Sequence, residues 1–221
     1  MLPNYEMQLN DIEQMIKSIA VRVIKAHEAT LEGFKKRDVR LLEGIKAVLQ
    51  NIGEEANRCD NAVVKTLALY EPKADLLRQM VVMLKTTNEL IRSGDAAKVV
   101  SKRLMIQIDE NFDFSPFEEH IEALYAGTLR ALKIALLQEG CENADYEECV
   151  RLVKVEEAKT DDIQDVLQDI ILDHVCKNSA DPLHYYKMLR SMQKLERVAD
   201  HAVNMASLQL YAKKGGRIES F

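Results

Sequence analysis

Glu157 with Asp161, and Glu196 with Asp200, are two pairs of carboxylates spaced four residues apart. On a helix that spacing stacks one acid a turn above the other, where like charges repel mildly. Two compensations are open. Neighbouring cations (Lys154 and Lys159 beside the first pair, Arg197 and His201 beside the second) make both pairs ordinary solvated surface. A hard metal ion takes the carboxylate oxygens instead. With the two pairs on facing helices of one bundle, four acids converge in the manner of metal sites built between helices. Poorer counterparts lie earlier, Glu55 with Cys59 and Ile91 with Asp95. Ile91 coordinates nothing and Cys59 is a soft ligand, so Glu55 and Asp95 form the weaker candidate and the later set the stronger one.

The elements that hold these residues are helices. Met188, Met192, Leu195, Ala199, Ala202 and Ala206 recur at steps of three and four around Glu196 and Asp200, one narrow buried seam. A first helix is expected from Tyr5 to about Gly33. A second starts with Asp38 as N-cap and continues through Gly44 and Gly53 to the Glu71-Pro72 break. A third, capped by Asp75, runs to about Ile106. Residues 107–116 form the clearest boundary, because Ser115, Pro116 and Glu118 read as cap, first-turn proline and capping-box partner. A fourth helix follows from Phe117 to about Leu137, stopped by Gly140. Asp145 and Glu148 offer a second capping box for a helix to about Val175. Asn178-Ser179 breaks it, and Asp181-Pro182 opens the last.

The two halves align. Leu90–Ala97 lies over Leu195–Ala202, Glu54-Glu55-Ala56 over Glu156-Glu157-Ala158, and Ala74-Asp75 over Ala180-Asp181. Three matches in order indicate an internal duplication. The expected fold is all-α: two tandem three-helix bundles of six long helices, one over residues 1–110 and the other over 111–221.

Composition narrows the function classes. The chain has 221 residues, no Trp, 8 Gly, 4 Pro and a formal charge of −6, a helical composition without the basic surface of a duplex nucleic-acid binder. No apolar run approaches the ~20 residues of a membrane span, and the N-terminus lacks a signal peptide's basic and apolar regions. A cytoplasmic protein is expected, neither inserted in membranes nor bound to nucleic acid. Cys59, Cys141, Cys149 and Cys176 show no C-x-x-C spacing, so reduced structural thiols are expected. Walker A, glycine-rich dinucleotide, H-E-x-x-H and G-x-S-x-G motifs are all absent, and no enzyme is indicated. His27 and His201 are isolated helical histidines, read as packing or surface residues before phosphoacceptors.

Leu195-Glu196-Arg197-Val198-Ala199-Asp200-His201-Ala202-Val203-Asn204 resembles the L-E-R-I-G/A-D-H-A-x-N signature that closes each repeat of the PhoU family of phosphate-signalling proteins. The first-repeat stretch from Asp75-Leu76-Leu77-Arg78 through Thr86 to Asp95 looks like the same signature in degraded form. The likeness covers essentially the whole chain. It implies a pair of three-helix bundles whose E/D-x-x-x-D motifs hold metal ions such as iron, manganese, magnesium or zinc. By position Glu157, Asp161, Glu196 and Asp200 match in full, whereas Glu55 and Asp95 match half of their motifs. It also implies a homodimeric, non-enzymatic accessory regulator that restrains phosphate uptake and the starvation response. The implied partners are the ATPase subunit of a phosphate ABC transporter and a phosphate-sensing histidine kinase. A ferritin-like carboxylate bundle, storing or oxidising metal, is the alternative, but Glu118 and His120 lack its Glu-x-x-His spacing. An adaptor without metal is a third reading.

Overall fold

The computed structural model describes residues 3–72, 74–141, 145–177 and 182–216. Helix α1 (Pro3–Lys36) buries Ile12, Ile19, Val23 and Ala26 along one face. It runs past Gly33, further than expected, because the glycine serves close packing and does not terminate the helix. A Cβ at Gly33 would stand 2.8 Å from Leu42 Cδ2. The end comes at Arg37, with φ of 53°, and the Asp38 amide closes the turn on the Gly33 carbonyl at 2.9 Å. Asp38 then caps α2 (Val39–Val48) as expected, accepting from the amides of Arg40 and Leu41.

The second rod departs from expectation. It breaks at Leu49–Asn51, and α3 (Ile52–Tyr70) begins beyond the break. The glycines are not responsible, since Gly44 and Gly53 both lie inside helices with open space around them. Asn51 adopts a left-handed φ of 61°, and the turn sends Leu49 and Ile52 into the core, each 1% exposed. Arg22 of α1 covers the opened backbone. Its Nε donates to the Val48 carbonyl at 2.9 Å and the guanidinium also donates to the Gln50 carbonyl.

Helix α4 (Asp75–Asp109) starts with Ala74 at the cap and Asp75 inside the first turn, where it pairs with Arg78 and caps nothing. The linker after α4 is packed. Phe114 and Phe117 are buried, Phe112 and Phe34 meet Phe114 edge-on, and the Arg37 guanidinium lies over Phe34 and Phe114. Ser115 is not a helix cap here: its amide and hydroxyl both donate to Asp113. Helix α5 (Glu118–Leu137) therefore starts later, and Glu118 pairs with Arg37 at 2.9 Å, leaving the capping box unclosed.

Asp145 does cap α6 (Tyr146–Lys177), accepting from the Glu147 amide, while Glu148 turns to Arg151. Cys141 and Cys149 form a disulfide, correcting the expectation of reduced thiols at these two positions. The loop brings their Cα atoms to 5.5 Å, within bridging distance. Cys59 and Cys176 are free. The expected features at Asn178, Ser179 and Asp181 lie outside the described residues; α7 (Pro182–Lys214) follows.

Among the described residues every regular element is a helix. α1 to α4 pack as one bundle and α5 to α7 as another, so the architecture is the expected pair of three-rod bundles with one rod broken. They are joined chiefly along α4 and α7, with α1 against α5; the main apolar core spans both, and a smaller separate cluster lies in the first bundle. All six residues of the seam around Glu196 and Asp200 are at most 2% exposed.

Candidate functional site

The buried seam of α7 fixes the direction of Glu196 and Asp200. With Leu195, Ala199 and Ala202 held in the core, the two acids flank the stripe and are only half-buried. On α6, Val153, Thr160, Gln164 and Leu167 form the buried face. Thr160 bonds the Glu156 carbonyl at 2.6 Å and sits against Gly127 of α5, where a Cβ would approach its hydroxyl to 3.0 Å. Glu157 and Asp161 border that face. The structure thus brings the two sequence pairs together on adjacent helices.

Their electrostatics show the meeting. Burial raises the Glu157 carboxyl above its ordinary range, and Asp161 and Asp200 raise it further. Asp161 is raised by burial and then by Asp200, Asp165 and Asp162. Glu196 is raised by burial, Asp200, Asp161 and Glu157, with Arg197 opposing. Burial also raises Asp200, against the opposing charges of His201 and Arg197. Each group therefore holds its proton more readily than in water. Asp161 Oδ1 is fully buried without a hydrogen-bond partner.

Lys154 opposes the rise of Glu157, and Arg197 opposes that of Glu196 and Asp200, but the other two cations named beside these acids have further partners. Lys159 pairs with Glu156 at 2.6 Å, and Arg130 of α5 takes the same carboxylate at 2.6 Å. Burial pushes Glu156 up, but those two partners outweigh it and hold it below its usual range. His201 Nδ1 lies 2.6 Å from Glu89 Oε2 on α4. Burial again acts to raise Glu89, and His201, Arg92 and Asn204 overcome it. Glu89 and Asn204 were not anticipated. The duplication carries no signal for Glu89, because Lys194 occupies the equivalent place in the second repeat.

The first-repeat counterparts do not assemble into a similar group. Glu55 is held by Arg22, at 2.6 Å and 2.7 Å from Nη1. Asp95 is exposed and pairs with Lys98 at 3.1 Å. Ile91 packs against the main core. Cys59 is buried in a separate apolar cluster, where burial and Asp60 push its thiol up to about 11. Among the described residues, no three His, Cys, Asp or Glu side chains stand close enough together to hold a metal ion. That holds for the four second-repeat acids as well: their donor chemistry suits a hard cation, being half-desolvated oxygens of which Asp161 Oδ1 has no hydrogen-bond partner, but they do not stand close enough here to ligate one.

The family model of the PhoU domain matches this chain twice, over residues 16–104 and 118–208. The chain belongs to the PhoU family. Among PhoU relatives, it is 20% identical to the phosphate-specific transport system accessory protein PhoU homolog 1 of Thermotoga maritima, over 99% of this chain and 92% of that protein. The phosphate-specific transport system accessory protein PhoU of Escherichia coli is 27% identical over 80% of this chain and 69% of its own length. The crystal structure of PhoU from Pseudomonas aeruginosa superimposes with a TM-score of 0.88 at 19% identity, covering 96% of this chain and all of that one. The phosphate transport system regulatory protein PhoU from Streptococcus pneumoniae gives 0.83 at 19% identity, over 98% of this chain and 100% of that chain. Both share the fold of this PhoU-family chain.

Proposed function

We propose that this protein is a non-enzymatic accessory regulator of phosphate transport. It acts in the cytoplasm as a homodimer, restraining high-affinity uptake and the starvation response when phosphate is plentiful. Its partners are the transporter's ATPase subunit and the phosphate-sensing histidine kinase, engaged through helix faces. The tandem PhoU-domain match carries this reading, and the names of the relatives in phosphate-specific transport support it. No helix among the described residues is long and apolar enough to cross a membrane, which is compatible with action on the inner face of a transporter.

In this reading Glu157, Asp161, Glu196 and Asp200 draw closer than they stand here to hold a metal ion that neutralises their mutual repulsion and ties α6 to α7. An ion bound there would supply positive charge among these acids and stiffen the second bundle. Glu55 and Asp95 have no such role, their charges being met by Arg22 and Lys98.

Deleting the gene is expected to raise phosphate uptake and starvation-gene expression in phosphate-rich medium; unchanged uptake and expression would reject the regulatory role. Elemental analysis of purified protein is expected to find metal that Glu196→Ala with Asp200→Ala removes. Equal metal content in the double variant would take these residues out of the site.

A further inference from the structure

Between α2 and α4 of the first repeat lies a cleft of about 560 Å³, remote from the carboxylates in sequence and in element. Its floor is apolar, made by buried Leu42 and half-buried Met105. Its walls carry Lys46 from α2 and Lys98 and Lys102 from α4, against one acid, Glu43. Lys98 is partly committed to Asp95. Among the described residues neither Lys46 nor Lys102 forms a salt bridge, and both are exposed. Three ammonium groups around one cleft run against the formal charge of −6 on the chain. Such a local reversal attracts anions over roughly a Debye length, about 8 Å at physiological salt.

We infer that this cleft docks an acidic amphipathic helix of a partner protein, one apolar side chain on the Leu42–Met105 floor and carboxylates between the lysines. The assignment rests on the accessory role proposed above and names a surface for it. Lys98 and Lys102 are one helical turn apart, the repeat at which a facing helix presents successive carboxylates. Methionine at the floor adapts to aliphatic or aromatic anchors. Lysines along the helix flanks, Lys46 in the last turn of α2 and Lys98 and Lys102 within α4, with no arginine fork and no helix N-terminus, are poorly built for a small free anion. Their spread over two helices suits an extended acidic ligand.

The full chain is titrated with a synthetic helical peptide bearing glutamates one turn apart beside leucines, and with the same peptide carrying lysines for glutamates. Backbone NMR shifts should cluster at 42–46 and 98–105 for the acidic peptide alone. Charge reversal by Lys46→Glu, Lys98→Glu and Lys102→Glu should weaken binding on the order of tenfold or more. Replacement by arginine at all three positions should keep it, and circular dichroism should show all variants folded. Equal binding of both peptides, shifts elsewhere, or indifference to charge reversal would overturn the assignment. So would inorganic phosphate that binds at these lysines and displaces the peptide at low concentration, which marks a small-anion site.

Cellular measurements separate this idea from the regulatory role. If deletion has its phenotype and the charge-reversed chain complements it fully, the cleft is not the docking surface and the regulatory role stands. If the deletion has no phenotype, the role falls while the peptide titration still decides the cleft.

Discussion

Glu156 and Glu157 are adjacent in sequence and opposite in behaviour. Glu156 is gripped by Arg130 and Lys159 and stays ionised below its usual range. Glu157, one step round the helix, meets Asp161 and Asp200 and is raised. A carboxyl raised by the fold stabilises it only while protonated, and that contribution vanishes as pH climbs through the folded-state value. At neutral pH the four acids therefore strain the metal-free protein. Glu196→Gln with Asp200→Asn should raise the thermal midpoint of chelator-treated protein, by about 2–4 °C for each kcal/mol of repulsion removed. The same change should shrink the stabilisation that added manganese or magnesium gives the parent. Both effects are read by scanning calorimetry with and without metal. A parent whose midpoint ignores both chelator and metal would contradict the metal reading, whatever the double variant does.

At the scale of elements, Arg22 decides how the first repeat bends. One guanidinium serves the Val48 and Gln50 carbonyls and the Glu55 carboxylate, so losing it strands acceptors at a half-buried turn. Arg22→Ala should cost about 1–3 kcal/mol, visible as a lower urea midpoint and faster amide exchange around the turn; unchanged exchange there would show that the break closes itself. This break was illegible in the sequence because neither glycine nor proline makes it. An arginine on another helix and two core side chains on either side of Asn51 do. Other misplacements have the same origin, with Ser115 diverted to Asp113 and Glu118 to Arg37. The Cys141–Cys149 bridge joins a loop to the first turn of α6, a spacing that no motif marks. By contrast, the seam from Met188 to Ala206 and the stacking of Glu196 on Asp200 follow from helical period alone and appear where the sequence puts them. Periodicity reveals which face is buried. It does not reveal that His201 meets Glu89 or that Lys159 prefers Glu156, because those partners are chosen by packing between helices.

Across the whole molecule the two repeats share one core, and His27 sits within it where α1, α4 and α5 meet. The ring is fully buried, with Nε2 3.0 Å from the Ser93 carbonyl and Nδ1 3.2 Å from the Tyr125 hydroxyl. A neutral ring satisfies both contacts, Nε2–H donating to the carbonyl and Nδ1 accepting from the phenol. A protonated ring has a second N–H and a charge to bury. Burial accordingly lowers the imidazole from 6.5 to about 4, only partly offset by the bond to Ser93. The unfolded chain then binds the proton first as pH falls, so stability is intact above about 6.5 and drains away down to about 4. One such group amounts to about 3 kcal/mol over that window. The raised acids of the second repeat act in the opposite sense, gaining stability as they protonate, so the parent's acid profile mixes both. His27→Gln isolates the histidine: it loses some stability at every pH but should fall less steeply between about 6.5 and 4 than the parent. Urea unfolding of both chains at a series of pH values measures the difference. Parallel profiles would mean that His27 charges without cost, and that the junction of the repeats is wetter than its packing implies.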